Sequence, residues 1–558
     1  MMPAGRLDGP GPRDVSGGAW HGCRRRCRPA AQPTEGETAV LDIVGARVLV
    51  RSGLLAPARP DRLLGMGLAL VRWGISPATG YAAGASRHPQ RLALVDDDGA
   101  LTWREVDQRT DRLASELRAR GLRPGDAVGL LARNGRGLVE SAVAAAKVGA
   151  DVLYLNTGSA AAPLLAVMDR EQARAVLHDE EFTDLLGTAL PGRIAVTTEQ
   201  LAELAVTSTL PAPPRPGRAS RQVILTSGTT GAPRGAARSG ATVGDAVAAL
   251  SMVPLRARET TVIAAPVFHA WGLGHLSLGM LLGSTVVLQR RFDPDRVLQA
   301  VQEHRATVLV VVPVMLERLV EAARSGRHDT SSLRVIASSG SALPGDLARR
   351  VQEVFGPVLH NLYGSTEVAY AAVATPEDLA ADPRTAGRPP HGVTLRVVDE
   401  RGRDVPPGTP GRIFVGSGLA FEGYTDGSDK DRLDGLVSTG DLGVVDGAGR
   451  LTVLGRDDDM VVIGGENVYP QQVEDVLAED PSVAEVAVVD EPDEVYGVRL
   501  VAHVVPATGA TVDPEQLQER VRSSLARFAV PREVRLLDAL PRNATGKVLR
   551  AQLRGRQT

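Results

Sequence analysis

Hydrophobic and polar positions along this chain fall into two alternating patterns. Short apolar runs occur at 127–131, 152–155, 223–225, 262–264, 285–288, 308–312 and 335–337, and between them apolar residues recur three and four positions apart. The runs have strand length, and the intervening spacing keeps one helix face apolar. Strands alternating with helices predict mainly parallel sheets covered on both faces. Ala93, Leu94 and Val95, followed by Leu101, Thr102 and Trp103, predict a hairpin around Asp98 and Gly99, and Leu113 and Leu117 mark a helix after it.

The pattern changes at both ends. Residues 1–40 are rich in Gly, Pro and Arg with almost no aliphatic spacing, and read as a disordered extension. No apolar core of signal-peptide length follows Arg28. In 41–76, Leu63, Leu64, Met66, Leu68, Leu70, Val71 and Trp73 interleave with Arg62 and Arg72, predicting an amphipathic helix. Packing on the main body is the favoured use of its apolar face, ahead of contact with a membrane surface. Regular α/β patterning starts near Pro77 and continues to 455, with shorter strands and crowded turns after Arg388. Residues 456–459 (Arg-Asp-Asp-Asp) read as a hinge. Residues 460–558 then predict a small mobile α+β domain, with helix 470–477, strands 483–489 and 499–505, and helix 514–527.

Composition narrows the chemistry. The chain has 558 residues, 43% of them hydrophobic, enough for several cores. A formal charge of −3 without interleaved basic and aromatic motifs speaks against nucleic acid as a partner. Its two cysteines, Cys23 and Cys27, both lie in a basic stretch, so the body offers no thiol nucleophile or disulfide frame. That usage fits a cytoplasmic location, and any thiol chemistry must come from a cosubstrate.

The most specific segment follows the run 223–225. Thr226, Ser227, Gly228, Thr229, Thr230 and Gly231 form a loop of small hydroxyl residues and glycines, closed by Pro233 and Arg234. Such a loop offers backbone N–H groups and hydroxyls to phosphate oxygens without steric obstruction. No Gly-Lys-Ser/Thr follows it, so it is not a Walker loop.

The order Thr-Ser-Gly-Thr-Thr-Gly-x-Pro-basic-Gly resembles the phosphate loop of the adenylate-forming superfamily of acyl-CoA synthetases, luciferases and peptide-synthetase adenylation domains. Further segments resemble that family's motifs in the family's order: 363–367 (Tyr-Gly-Ser-Thr-Glu), 438–441 (Ser-Thr-Gly-Asp), 457–470 with its Gly-Gly-Glu turn, and 541–550 containing Gly546 and Lys547. The resemblance implies that Tyr363 stacks on adenine, Thr366 touches the α-phosphate and Glu367 holds Mg²⁺. It further implies that Asp441, assisted by Arg456, receives the ribose hydroxyls. Asp458 becomes the hinge, Gly464, Gly465 and Glu466 line the pantetheine tunnel, and Lys547 is the catalytic lysine. One departure stands out: Arg234 occupies a position where the family usually has lysine, and the two cations are not interchangeable.

The implied reaction joins a carboxylate to ATP, giving acyl-AMP and pyrophosphate, and then transfers the acyl group to coenzyme A after rotation of the C-terminal domain. Residues 265–272 (Ala-Pro-Val-Phe-His-Ala-Trp-Gly) resemble the Pro-x-Phe-His segment of fatty-acyl-CoA synthetases, in which the histidine, here His269, lies beside the acyl-adenylate. Gly272, Gly274, Gly340, Ala342 and Ala369 are small residues near the expected acyl pocket, favouring a medium- to long-chain fatty acid. The partners are then that acid, ATP and CoA; a homodimer and a peripheral membrane contact through 41–75 stay open. The alternatives are a fatty-acyl-AMP ligase serving a carrier protein, a luciferase-like oxygenase, and a non-catalytic acyl-nucleotide-binding protein. The unbroken run from Asp459 to Gly464 favours CoA over the carrier reading.

Overall fold

The computed structural model describes residues 42–187, 190, 192–226, 234–237, 243–418, 429–457, 461–463, 466–493, 497–525, 527–543 and 546–554. Two largely parallel sheets form its larger part. In the first, the strand order is Ala372–Ala374, Leu359–Tyr363, Val335–Ser338, Val308–Val311, Thr260–Ile263, Thr285–Leu288, Leu92–Asp96 and Gly99–Thr102. The two outermost strands pair antiparallel and all others parallel. Val308–Val311 is buried along its whole length, as a strand covered on both faces must be. The second sheet runs Ile194–Thr197, Ala173–His178, Ala127–Leu131, Asp151–Tyr154, Gln222–Thr226 and Arg234–Ala237.

Helix Arg136–Val148 lies at the heart of this layered packing, with every residue from Leu138 to Val148 buried. Its alanines permit the close approach, and its buried cation, Lys147, is retained because Asp107 and Asp111 receive its ammonium at 2.7 and 2.6 Å. Helix Trp103–Ala119 starts at a capping box in which Thr102 and Glu105 satisfy each other's backbone N–H. An antiparallel sheet follows, built on Thr394–Val398, Gly411–Gly416 and Leu436–Val445. In the C-terminal part, Val483–Asp493, Gly497–Pro506 and Glu533–Leu536 form a sheet whose core includes Val473, Leu477, Leu517 and Val521 from helices Pro470–Leu477 and Pro514–Ser524.

Three expectations need revision. The strands Ala173–His178, Ile194–Thr197 and Leu359–Tyr363 were not legible as runs. The segment 41–75 forms two helices rather than one, Ile43–Ser52 and Pro60–Trp73, separated where Gly53 adopts φ 76° and two prolines follow. Their packing on the body is partial: Leu49, Ala69 and Trp73 are buried, while Leu63, Leu64, Leu68 and Val71 are exposed. Residues 1–41 and the expected hinge residue Asp458 lie outside the described residues.

Candidate active site

The parallel strands of the first sheet end on a common side, and their following loops carry the chemistry expected at carboxyl ends of such strands. Tyr363 closes Leu359–Tyr363. The next turn is tight: a Cβ on Gly364 would meet the Ala369 carbonyl oxygen at 1.9 Å, so only glycine fits there. Within it, the Ala369 N–H donates to the Ser365 carbonyl at 2.9 Å, and the Ser365 hydroxyl accepts from the Glu367 N–H at 3.2 Å. Thr366 and Glu367 thereby face a cleft of about 2800 Å³ that also receives Tyr363, Asp441, Arg456 and Lys547.

Asp441 and Arg456 are register partners on antiparallel strands, and the guanidinium stands 3.5 Å from the carboxylate. The Tyr363 hydroxyl donates to the other Asp441 oxygen. A carboxylate has about four acceptor sites, so Asp441 retains capacity for two hydroxyls of a sugar. Burial raises the Asp441 pKa, opposed by the Tyr363 hydrogen bond and by the charges of Arg456, Lys430 and Lys547. Burial likewise pushes the Tyr363 phenol well above its ordinary value, with the neighbouring Asp441 charge adding to it. Lys430 on the cleft wall was not singled out by sequence reasoning, having no motif around it.

Lys547 is set by the loop that carries it. The Asn543 N–H donates to the Lys547 carbonyl and the Lys547 N–H to the Asn543 side-chain oxygen, both at 2.9 Å. Gly546 adopts φ 79°, and a Cβ there would lie 2.4 Å from Val314 Cγ1, in the first turn of helix Pro313–Arg324. The lysine loop of the C-terminal part thus rests directly on the wall of the cleft.

Thr226 ends its strand and pairs in register with Arg234 at the start of the next. Ser227, Gly228, Thr229, Thr230 and Gly231 between them lie outside the described residues, as do Gly464 and Gly465. Glu466 opens the returning strand of the hairpin formed with Val461–Ile463, and the described cleft wall begins just after it at Tyr469.

His269 is the N-cap of helix Ala270–Leu282. The loop before it is fixed by buried Asn134, which accepts from the Val267 N–H at 2.8 Å and donates to the Ala265 carbonyl at 3.0 Å. His269 Nε2 is buried without a hydrogen-bond partner among the described residues, and burial lowers the ring pKa from 6.5 to about 4. Two residues on, Trp271 donates its indole N–H to the Val311 carbonyl at 2.9 Å and meets His275 edge to face. Trp271, His275 and Tyr370 line the cleft, but only the first lay within a motif. Gly274, Gly340, Ala342 and Ala369 also line it. Gly272 does not: its Cβ would sit 2.4 Å from the Pro266 carbonyl oxygen, so this glycine permits backbone contact rather than room for substrate.

A neutral His269 is expected down to low pH. Its ring carbon resonance should titrate near 4 in the free protein. The unfolded imidazole takes up its proton near 6.5, so this residue's contribution to stability declines as pH falls from 6.5 towards 4. A midpoint near 6.5 would show that the ring is solvated.

Residues 81–425 match the family of AMP-binding enzymes, and 472–547 match the AMP-binding enzyme C-terminal domain. The chain is 34% identical to an indoleacetate–CoA ligase of Aromatoleum aromaticum over 84% of its length and 96% of that protein. It is 30% identical to a fatty acid–[acyl-carrier-protein] ligase of Streptomyces coeruleorubidus, covering 85% of this chain and 94% of that one. The structure of o-succinylbenzoate CoA synthetase from Bacillus subtilis with its acyl-adenylate intermediate superposes with a TM-score of 0.76 at 28% identity, covering 86% of this chain and 98% of the other. The chain therefore belongs to the AMP-binding, adenylate-forming enzymes. It is an AMP-forming acid–thiol ligase, activating a carboxylic acid with ATP to acyl-AMP and then to a CoA thioester.

Proposed function

We propose that this enzyme makes acyl-CoA from a medium- to long-chain fatty acid. The observation that carries the reading is the continuity of one cleft from the Tyr363, Asp441 and Lys547 cluster, past His269 and Gly274, to the apolar side chains of Leu278, Met66 and Leu70. Helix Ala270–Leu282, which carries Trp271 and Gly274, contributes no acidic residue to receive a substrate ammonium group. A second reading, an aromatic acid, is favoured by Trp271 and Tyr370 on the cleft wall and by the indoleacetate-activating relative.

In the proposed roles, Tyr363 offers a flat face to adenine, Asp441 receives the ribose hydroxyls, and Thr366 donates to the α-phosphate. The loop from Thr226 to Gly231 with Arg234 grips the departing phosphates. Lys547 places its charge between the carboxylate and the α-phosphate, two anions that otherwise repel. His269, neutral and with its Nε2 unpartnered, stands beside the acyl carbonyl. Among the described residues no three His, Cys, Asp or Glu cluster as a metal cage. Glu367 would hold Mg²⁺, which takes one or two carboxylates and completes its shell with phosphate oxygens and water. When bound, the ion neutralises phosphate charge. Asp458, Gly464, Gly465 and Glu466 would serve the CoA step after rotation about the hinge. In this reading the domains are 77–455 and 460–558, joined at 456–459.

The test compares octanoate, dodecanoate and palmitate with phenylacetate and ferulate, reading pyrophosphate release and products by mass spectrometry with and without CoA. Acyl-CoA from the fatty acids is the expected product. Faster turnover of the aryl acids would select the second reading, and acyl-AMP accumulating at saturating CoA would select a carrier-protein acceptor.

A further inference from the structure

The two helices Ile43–Ser52 and Pro60–Trp73 carry more exposed apolar surface than packing explains. Ile43 is 81% exposed, Leu64 65%, Leu68 60% and Val71 62%, with Val44, Val50, Leu55 and Leu63 beside them in sequence. Leu64, Leu68 and Val71 recur at helical spacing on one stripe, whereas Ala69 and Trp73 turn to the body and are buried. Isolated exposed leucines are ordinary; a stripe of them beside a second apolar helix marks an interaction surface.

Charge selects the partner. Residues 42–75 contain five arginines, Arg47, Arg51, Arg59, Arg62 and Arg72, against two acids, Asp42 and Asp61, in a chain whose overall charge is −3. Four of the five arginines are exposed; Arg62 is partly covered, donating to the Arg87 carbonyl at 3.0 Å. Leucine stripes edged by arginine suit an interface of acyl chains and anionic headgroups. No described helix is long and apolar enough to cross a membrane, so the contact would be one that lies on the surface.

Position gives the contact a use. Met66, Leu70 and Ile75, from the same segment as the stripe, line the cleft together with Leu278, Met280 and Leu281. Leu70, Ile75 and Leu281 are themselves exposed, so the apolar end of the cleft opens at the edge of the patch.

We propose that the face formed by Ile43–Ser52 and Pro60–Trp73 docks on an anionic lipid bilayer and places the apolar end of the substrate cleft at the membrane surface. A lipophilic acid then enters from the bilayer without crossing water, a clause that rests on the fatty-acid reading; the docking itself does not.

The experiment is cosedimentation of the full chain with phosphatidylglycerol-containing vesicles and with pure phosphatidylcholine vesicles. Binding to the anionic vesicles that weakens with added salt is expected. The variant carrying Leu64→Glu, Leu68→Glu and Val71→Glu should bind them at least about tenfold more weakly while turning over a water-soluble short acid at the normal rate. A variant with Arg47→Glu and Arg51→Glu should lose the preference for anionic lipid. Full-length protein left in the supernatant with both vesicles overturns the proposal, as does equal binding to both or undiminished binding by the leucine variant. Dimers that dissociate in the leucine variant, without vesicle binding, would assign the face to a second copy of the chain and also overturn it. If vesicles are bound as expected but only aryl acids are turned over, docking stands and the fatty-acid reading falls.

Discussion

Lys547→Ala is expected to slow acyl-AMP formation about 10²–10³-fold, the usual consequence of removing a preorganised charge from a transition state. The same variant should convert supplied acyl-AMP and CoA to thioester at close to the normal rate. The asymmetry follows from where the lysine sits. Its charge already acts on Asp441 in this conformation, and it shares a cleft with Tyr363, Thr366 and Glu367. Negative charge gathers there only while the carboxylate attacks the α-phosphate. In the thioester step pyrophosphate has gone, and the proposed rotation of the C-terminal part would carry the lysine away. Parallel assays with acid plus ATP and with synthetic acyl-AMP plus CoA provide the check. Equal loss in both, from protein with an unchanged thermal transition, would refute domain alternation in this chain.

How far the sequence could be read depended on whether each element is specified locally. Val308–Val311 and Thr285–Leu288 are made of β-branched and aliphatic residues, and their strand character needs no neighbour to declare it. Leu359–Tyr363 contains His360 and Asn361, both buried, and becomes a strand because Val335–Ser338 pairs with it across more than twenty residues. The motif residues were legible as a set, but their joint geometry was not. The hydrogen bond from Tyr363 to Asp441 joins positions 78 residues apart, and Arg456 meets Asp441 only through strand register. Glycines were the least readable. Gly274 and Gly272 lie two positions apart with the same residue type, yet one opens on the cleft and the other touches the Pro266 carbonyl. The helix pair at 43–73 shows the converse. Its amphipathic spacing was evident, whereas which apolar residues find the body depends on the surface it meets.

Gly546→Ala should impair adenylation about 10- to 100-fold, through the position of its neighbour rather than through any contact of its own. Two costs combine. The residue holds φ 79°, a left-handed conformation that costs a non-glycine residue about 1–2 kcal/mol. The new methyl would also lie 2.4 Å from Val314 Cγ1 and 3.2 Å from its Cβ. Valine is stiff about χ1, so it cannot swing aside cheaply, and the loop must retreat from the helix instead. Lys547 follows Gly546 directly, and a displacement of about 1 Å at a reacting centre is enough for a loss of about 10²-fold. Adding Val314→Ala removes the 2.4 Å clash with Cγ1 but leaves the 3.2 Å contact with Cβ and the backbone strain, so the double variant should recover part, though not all, of the lost rate. Thioester formation from supplied acyl-AMP should change little in either variant, because the proposed rotation would first withdraw the lysine loop from Val314. The informative measurement is pyrophosphate exchange in wild type, both single variants and the double variant. If Val314→Ala gives no recovery, the contact seen between the lysine loop and the cleft wall is not what positions Lys547 for adenylation.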